Sequence, residues 1–176
     1  MLPKFSSAEI KQLSLSFLIV SLVFHIAFYI PFKYSLIIVG LGFVLHELAH
    51  KFMANWLGLK AEFHYDLRML IISLLASFMH FVFLAPGYVE VKGRINIRKN
   101  GLISLAGPMM NLLLAMIFLI WNSPMSKIGV AINAWLAFFN LLPFPSFDGI
   151  KVLFWNKLAY FTSMGLALFF VFAYHI

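Results

Sequence analysis

His46-Glu47-Leu48-Ala49-His50 carries the residue types and the spacing for metal-assisted hydrolysis. On a helix, positions i and i+4 share a face, so both imidazoles can reach one ion. The glutamate beside them is placed to act as general base on a water activated by that ion. Two histidines are too few for a catalytic zinc, which takes three protein ligands and leaves a fourth position open. The chain has no cysteine, so the third ligand has to be a histidine or a carboxylate. The other histidines are His25, His64, His80 and His175, and the other acids are Glu9, Glu62, Asp66, Glu90 and Asp148. Of these, Asp148 combines a charge with an apolar setting, between Phe147 and Gly149 and just after Pro143 and Pro145. A carboxylate at membrane depth costs roughly 2.5–3.5 kcal/mol on insertion scales and marks function by default. The plainer reading of Asp148 is a cap on the helix that follows it.

The elements that must position these residues are strongly apolar. Residues 34–45, just before the motif, contain no charge, whereas the zinc helix of a soluble metalloprotease shows a polar face. The whole chain is 63% hydrophobic and 11% charged, with a mean hydropathy of +0.96, against about 25% charged residues in average soluble domains. These values belong to the multi-span membrane class and point to hydrolysis within a bilayer. A formal charge of +7 could suggest nucleic acid, but the basic residues flank apolar segments and form no stripe. The positive-inside rule accounts for them, and no nucleic-acid partner is expected.

An amphipathic start over residues 1–12 leads into a first span at 13–30, which is too long for a secretory signal and is read as retained. Pro31-Phe32-Lys33 turns the chain into a second span at 34–57, which holds the motif in its latter half. Gly58-Leu59-Lys60 reads as a helix stop. Residues 61–67 alternate as a short strand does, and 88–97 alternate as a hairpin turning near Lys92-Gly93. Between them, 69–84 is apolar but short for a span, and it ends at the breaker Ala85-Pro86-Gly87. Further spans are expected at 101–121, 128–142 and 158–176, with a break at Pro143-Phe144-Pro145.

Lys4 and Lys11 put the N-terminus on the inner, cytoplasmic side, so the second span ends inside at Lys60 and Arg68. A single crossing by 69–84 would leave Lys92, Arg94, Arg98 and Lys99 outside, against the rule. A re-entrant 69–84 keeps all four inside and makes the fourth span parallel to the second. Asp148 then arrives at the depth of His46 and His50, in the cytoplasmic half of the membrane.

Three elements in order carry a family resemblance: His46-Glu47-Leu48-Ala49-His50, Leu105-Ala106-Gly107-Pro108-Met109-Met110-Asn111, and Asn140-Leu141-Leu142-Pro143-Phe144-Pro145-Ser146-Phe147-Asp148-Gly149. With them the chain resembles the site-2 protease family of intramembrane zinc metalloproteases, in a compact prokaryotic, archaeal form. The resemblance implies that His46, His50 and Asp148 bind one Zn2+ and that Glu47 activates the attacking water. It implies that Asn140 steadies the substrate backbone or the oxyanion, and that Gly107 and Pro108 pack a core helix against the motif helix. The implied substrates are membrane proteins, cut in or near their transmembrane segments. Ile150-Lys151 departs from the family, in which a second glycine is common here.

The expectation is therefore an all-α polytopic membrane protein of five to six transmembrane helices, with a re-entrant loop and a small β-sheet near the active site. It forms one membrane-embedded domain over 1–176, with its core at 34–151 and no PDZ or CBS appendage. The lipid bilayer and a membrane-protein substrate are its expected partners; the sequence does not fix an oligomeric state. Two other classes compete. A catalytically silent binding protein would usually have lost Glu47 or a ligand, and a metal transporter has no use for a glutamate poised beside a single site. Asn111 and Asn133 read as packing residues, His25 and His80 as core or interface histidines, and His64 as a polar-strand residue.

Overall fold

Ser6 accepts the Glu9 N–H at 3.1 Å, and this cap opens α1 (Ser7–Phe28), an apolar rod long enough to cross a membrane. The computed structural model describes residues 3–82, 86–121, 123 and 125–174. After Pro31 the chain re-enters helix as α2 (Phe32–Ser35), passes through a π turn (Leu36–Gly40) and continues as α3 (Leu41–Trp56), one apolar run of 25 residues. Glycine is needed at position 40, because a β-carbon there would sit 2.5 Å from both the Phe17 ring and Ser21 Oγ of α1.

The stop expected at Gly58 is present. Gly58 has φ +77°, its N–H reaches the Asn55 carbonyl at 3.0 Å, and the Leu59 N–H reaches the Ala54 carbonyl at 2.9 Å. This pair of bonds satisfies the last carbonyls of α3, and Lys99 Nζ caps a further one at Leu57, 3.0 Å away.

Strand β1 (Lys60–Tyr65) follows, then α4 (Leu67–Ser77), capped by Asp66, whose Oδ1 accepts from the Arg68 and Met69 N–H groups. Strand β2 (Gly87–Lys92) pairs antiparallel with β1, with Lys60 opposite Lys92 and Tyr65 opposite Gly87. The Asp66 N–H meets the Pro86 carbonyl at 3.1 Å, so the apolar excursion that contains α4 returns to the point it left. The expected sheet is therefore present, but 88–97 does not fold as a local hairpin. The strand ends at Lys92, Gly93 takes φ +133°, and the partner lies across the excursion in β1. Glu62 and Glu90 face each other across the sheet, each with its own partner: Ser6 Oγ lies 2.7 Å from Glu62, and Lys92 Nζ lies 2.9 Å from Glu90. The Lys92 ammonium holds the Glu90 carboxyl below its ordinary range.

Asn96 caps α5 (Ile97–Ile120) by accepting the Lys99 N–H at 2.8 Å. Then come α6 (Ser126–Asn140), α7 (Asp148–Trp155) and α8 (Lys157–Ala173). Helix α5 is central, packing against α3, α6 and α7. The shared core includes Val20, Val39, Leu112, Val130 and Leu141.

Of the five to six spans expected, three helices among the described residues have the length and composition to cross a membrane: Ser7–Phe28, Phe32–Trp56 and Ile97–Ile120. Helix α6 has 15 residues and α8 has 17, short of the roughly 20 that a 30 Å hydrocarbon layer asks for. Ala85 of the expected breaker, His175 and the end of the last expected span lie outside the described residues.

Helix α1 also seals one edge of the sheet. Glu9 Oε1 accepts the Phe63 N–H and Gln12 Oε1 accepts the Tyr65 N–H, both at 2.9 Å. Glu9 is in turn paired with Lys51 of α3, both residues 1% exposed, and Lys51 Nζ lies 4.2 Å from the Phe5 ring centroid. One buried ion pair thus ties α1, the motif helix and β1 together.

Candidate metal centre

Helices α3 and α5 meet along two matched rows of residues spaced by four. Gly42, His46 and His50 form the row on α3, and Asn111, Gly107 and Ile103 form the opposing row on α5. The His50 Nδ1–H donates to the Ile103 carbonyl at 2.7 Å, and the His46 Nδ1–H donates to Asn111 Oδ1 at 2.6 Å. Gly107 lies between them, and a β-carbon there would come within 2.5 Å of His46 Nε2 and crowd His50 Nε2 as well. Position 107 therefore admits a hydrogen and nothing larger.

Asp148 reaches the same point from α7. Its Oδ2 lies 3.1 Å from His50 Nε2 and 3.6 Å from His46 Nε2, and the two Nε2 atoms are 3.0 Å apart. Phe147, not Asp148, occupies the cap position of α7, so the plainer reading of this carboxylate as a helix cap does not hold. Gly149 lets α7 sit there, since a β-carbon would strike the Leu141 carbonyl at the end of α6.

These residues fit a divalent cation. A main-chain carbonyl only accepts, so His50 carries its hydrogen on Nδ1. Asn111 turns its amide nitrogen to the Gly42 carbonyl at 3.1 Å, which leaves Oδ1 for His46 and puts that hydrogen on Nδ1 too. Both Nε2 atoms therefore present lone pairs to each other and to a carboxylate, in a buried site. Three converging electron pairs repel unless a positive charge lies among them. A tetrahedral zinc with ligands at about 2.0–2.1 Å sets its ligand atoms roughly 3.3 Å apart, which the observed 3.0, 3.1 and 3.6 Å bracket. Among the described residues, His46, His50 and Asp148 form the one group of three such donors within 4.8 Å of one another.

Glu47 is buried beside the donors and lines a cleft of about 140 Å³ with them. Val89 and Val91 of β2 line the same cleft, as do Asn140 and Lys151. A second cavity of about 110 Å³ shares His46, Glu47 and Asn140. The Asn140 amide donates to the Leu136 carbonyl at 2.9 Å, and Lys151 Nζ lies 3.6 Å from Asp148 Oδ1. The five residues singled out from sequence thus surround one cleft. His64 is directed to Glu90 at 3.4 Å, and His25 to the Ile30 carbonyl at 2.7 Å. His80 meets the Ala27 carbonyl at 3.1 Å. Asn111 and Asn133, read as packing, prove to be bonded into the site. The signal was the placement of Asn111 four residues after Gly107, the same interval as His46 to His50.

A His–His–Asp donor set with a glutamate beside it, carried on apolar helices, is the constellation of a metallohydrolase. The chain is 38% identical over 178 positions to a protein of Methanocaldococcus jannaschii named "Putative zinc metalloprotease MJ0611", covering 94% of this chain and 93% of that one. The chain belongs to that zinc metalloprotease family. No family model and no solved structure matches it.

Proposed function

We propose that the protein is an intramembrane zinc endopeptidase of the site-2 protease family, hydrolysing peptide bonds in or near transmembrane segments of membrane proteins. The observation that carries this is the three-donor cluster beside Glu47, with both histidines and Glu47 on a 25-residue apolar run long enough to cross a bilayer and Asp148 brought to them by α7. His46, His50 and Asp148 hold the ion. Bound there, zinc supplies Lewis acidity to the water and to the scissile carbonyl. Glu47 takes the proton from the attacking water and delivers it to the leaving amine. Asn140 has spent one amide hydrogen on Leu136; its second hydrogen and Oδ1 are what it offers a substrate backbone or oxyanion.

A helical substrate has to unwind before hydrolysis, and β2 provides a template for the extended chain. Because the Phe63 and Tyr65 N–H groups turn to α1, strand alternation turns the main-chain groups of their partners Val89 and Gly87, and of Val91, away from β1. Those residues line the cleft, so the open edge of the sheet faces the metal donors. Val89→Pro removes one outward N–H and no ladder bond. It should lower cleavage while leaving bound zinc intact, and unchanged cleavage removes the edge from the mechanism. The segment that leaves at Asp66 and returns at Pro86 acts as a re-entrant loop. With the turn at residues 141–147 it lines a water path, where irregular backbone is tolerated inside a membrane.

The test is to purify wild type and Glu47→Gln in detergent, measure bound zinc and assay both on a single-span membrane protein. Zinc retained in both with cleavage only in wild type supports an endopeptidase. Equal cleavage by both, or no zinc in wild type, overturns it.

A further inference from the structure

Asn111 and Asn133 are fully buried amides on different helices, and an unsatisfied amide in such surroundings costs several kcal/mol. Plain helix–helix adhesion accounts for one of their bonds, Asn111 Nδ2–H to Asn133 Oδ1 at 3.2 Å. The others form a chain with one direction. The Asn133 Nδ2–H donates to the Gly129 carbonyl at 3.0 Å, which turns its own Oδ1 toward α5. The Asn111 Nδ2–H groups donate to that oxygen and to the Gly42 carbonyl at 3.1 Å, which turns the Asn111 Oδ1 toward α3. The His46 Nδ1–H donates to it at 2.6 Å. Main-chain carbonyls accept only, so two fixed acceptors on two helices set the orientation of both amides.

We infer that Asn111, with Asn133 behind it, is the positioning residue that holds His46 in its Nδ1–H tautomer and aims Nε2 at the zinc. The inference rests on the zinc reading above and deepens it. His50 takes the same tautomer from the Ile103 carbonyl, which is part of helix α5 itself. His46 depends on two side chains, and α6 has a bond to the metal site through them. Aspartate at 111 would not serve, since its carboxylate would face the Gly42 carbonyl and Asn133 Oδ1, both acceptors. Hydrogen-bond partners of metal-bound histidines are typically worth about 10–100-fold in metal affinity.

The test uses the full chain in detergent, loaded with zinc and then mixed with excess chelator. Thermal melting of the metal-free protein reports whether each variant folds. Asn111→Leu should release zinc about 10–100-fold faster than wild type and shift the visible bands of the cobalt(II)-substituted protein. Asn133→Leu should fall between the two, because the Gly42 carbonyl still holds Asn111. Wild-type release rate and cobalt spectrum in a folded Asn111→Leu overturn the inference and leave the zinc reading standing. Failure of wild type to bind zinc overturns both. If Asn111→Leu does not fold, 15N NMR of histidine-labelled, zinc-loaded wild type decides, with the His46 signal assigned by its loss in His46→Ala. A proton on Nδ1 supports the inference, and one on Nε2 overturns it.

Discussion

Alanine differs from glycine by one methyl group, and at position 107 that group would meet the Nε2 nitrogens of both His46 and His50. Alanine is favoured over glycine in a helix by about 1 kcal/mol, so helix α5 itself gains from the change. Gly107→Ala should therefore yield a folded protein that has lost its zinc, as read by metal content alongside thermal melting of the metal-free forms. Stoichiometric zinc in a folded Gly107→Ala would contradict this packing. The two buried asparagines teach the same lesson from the other side. Residue type marks Asn111 as able to accept a hydrogen bond, but only the opposing row on α3 makes His46 its partner.

At the scale of elements, the Glu9–Lys51 pair sets how α1, α3 and β1 meet. Removing one partner leaves a buried charge uncompensated, which typically costs about 3–5 kcal/mol, while replacing both with neutral groups is often close to neutral. Lys51→Met and Glu9→Gln should each lower the melting temperature of the purified protein sharply. The double variant should recover most of the loss, because glutamine still accepts the Phe63 N–H. A double variant as unstable as either single one would show that the ion pair itself stabilises the fold. The sheet shows how far local pattern reaches. Alternation marks both strands, but the partner of β2 lies beyond the excursion, and pairing across it depends on Asp66 and Pro86 meeting.

For the whole molecule, the placement of the basic residues predicts which side each turn faces. The absence of native cysteine gives a labelling experiment no background. Ile95→Cys, beside the Lys92–Lys99 cluster, should react with an impermeant maleimide only after the membrane is opened. Lys33→Cys, at the turn between the first two long helices, should react in intact cells. Labelling of Ile95→Cys in intact cells would reverse the proposed orientation. The span count was only partly legible, because hydropathy registers apolar character and not helix length. Residues 128–142 read as apolar enough to cross, yet α6 ends at Asn140 after 15 residues. The turn before Asp148 then brings α7 to the metal donors.

The sequence by itself determined the chemistry on offer. A histidine pair at helical spacing, a glutamate beside it, a single acid in an apolar setting and no thiolate leave little choice of metal ligands. Local signals also settled the stop at Gly58 and the two strands, since those depend on φ and on alternation within a few residues. Only the tertiary structure showed Asp148 Oδ2 within 3.6 Å of both histidine Nε2 atoms, β2 lining the cleft, and two asparagines standing behind His46. The reason is separation along the chain. His46 and Asn111 stand 65 residues apart, and a hydrogen bond acts over about 3 Å. Which acceptor a histidine finds is therefore set by the packing of helices and cannot be read from the residues beside it.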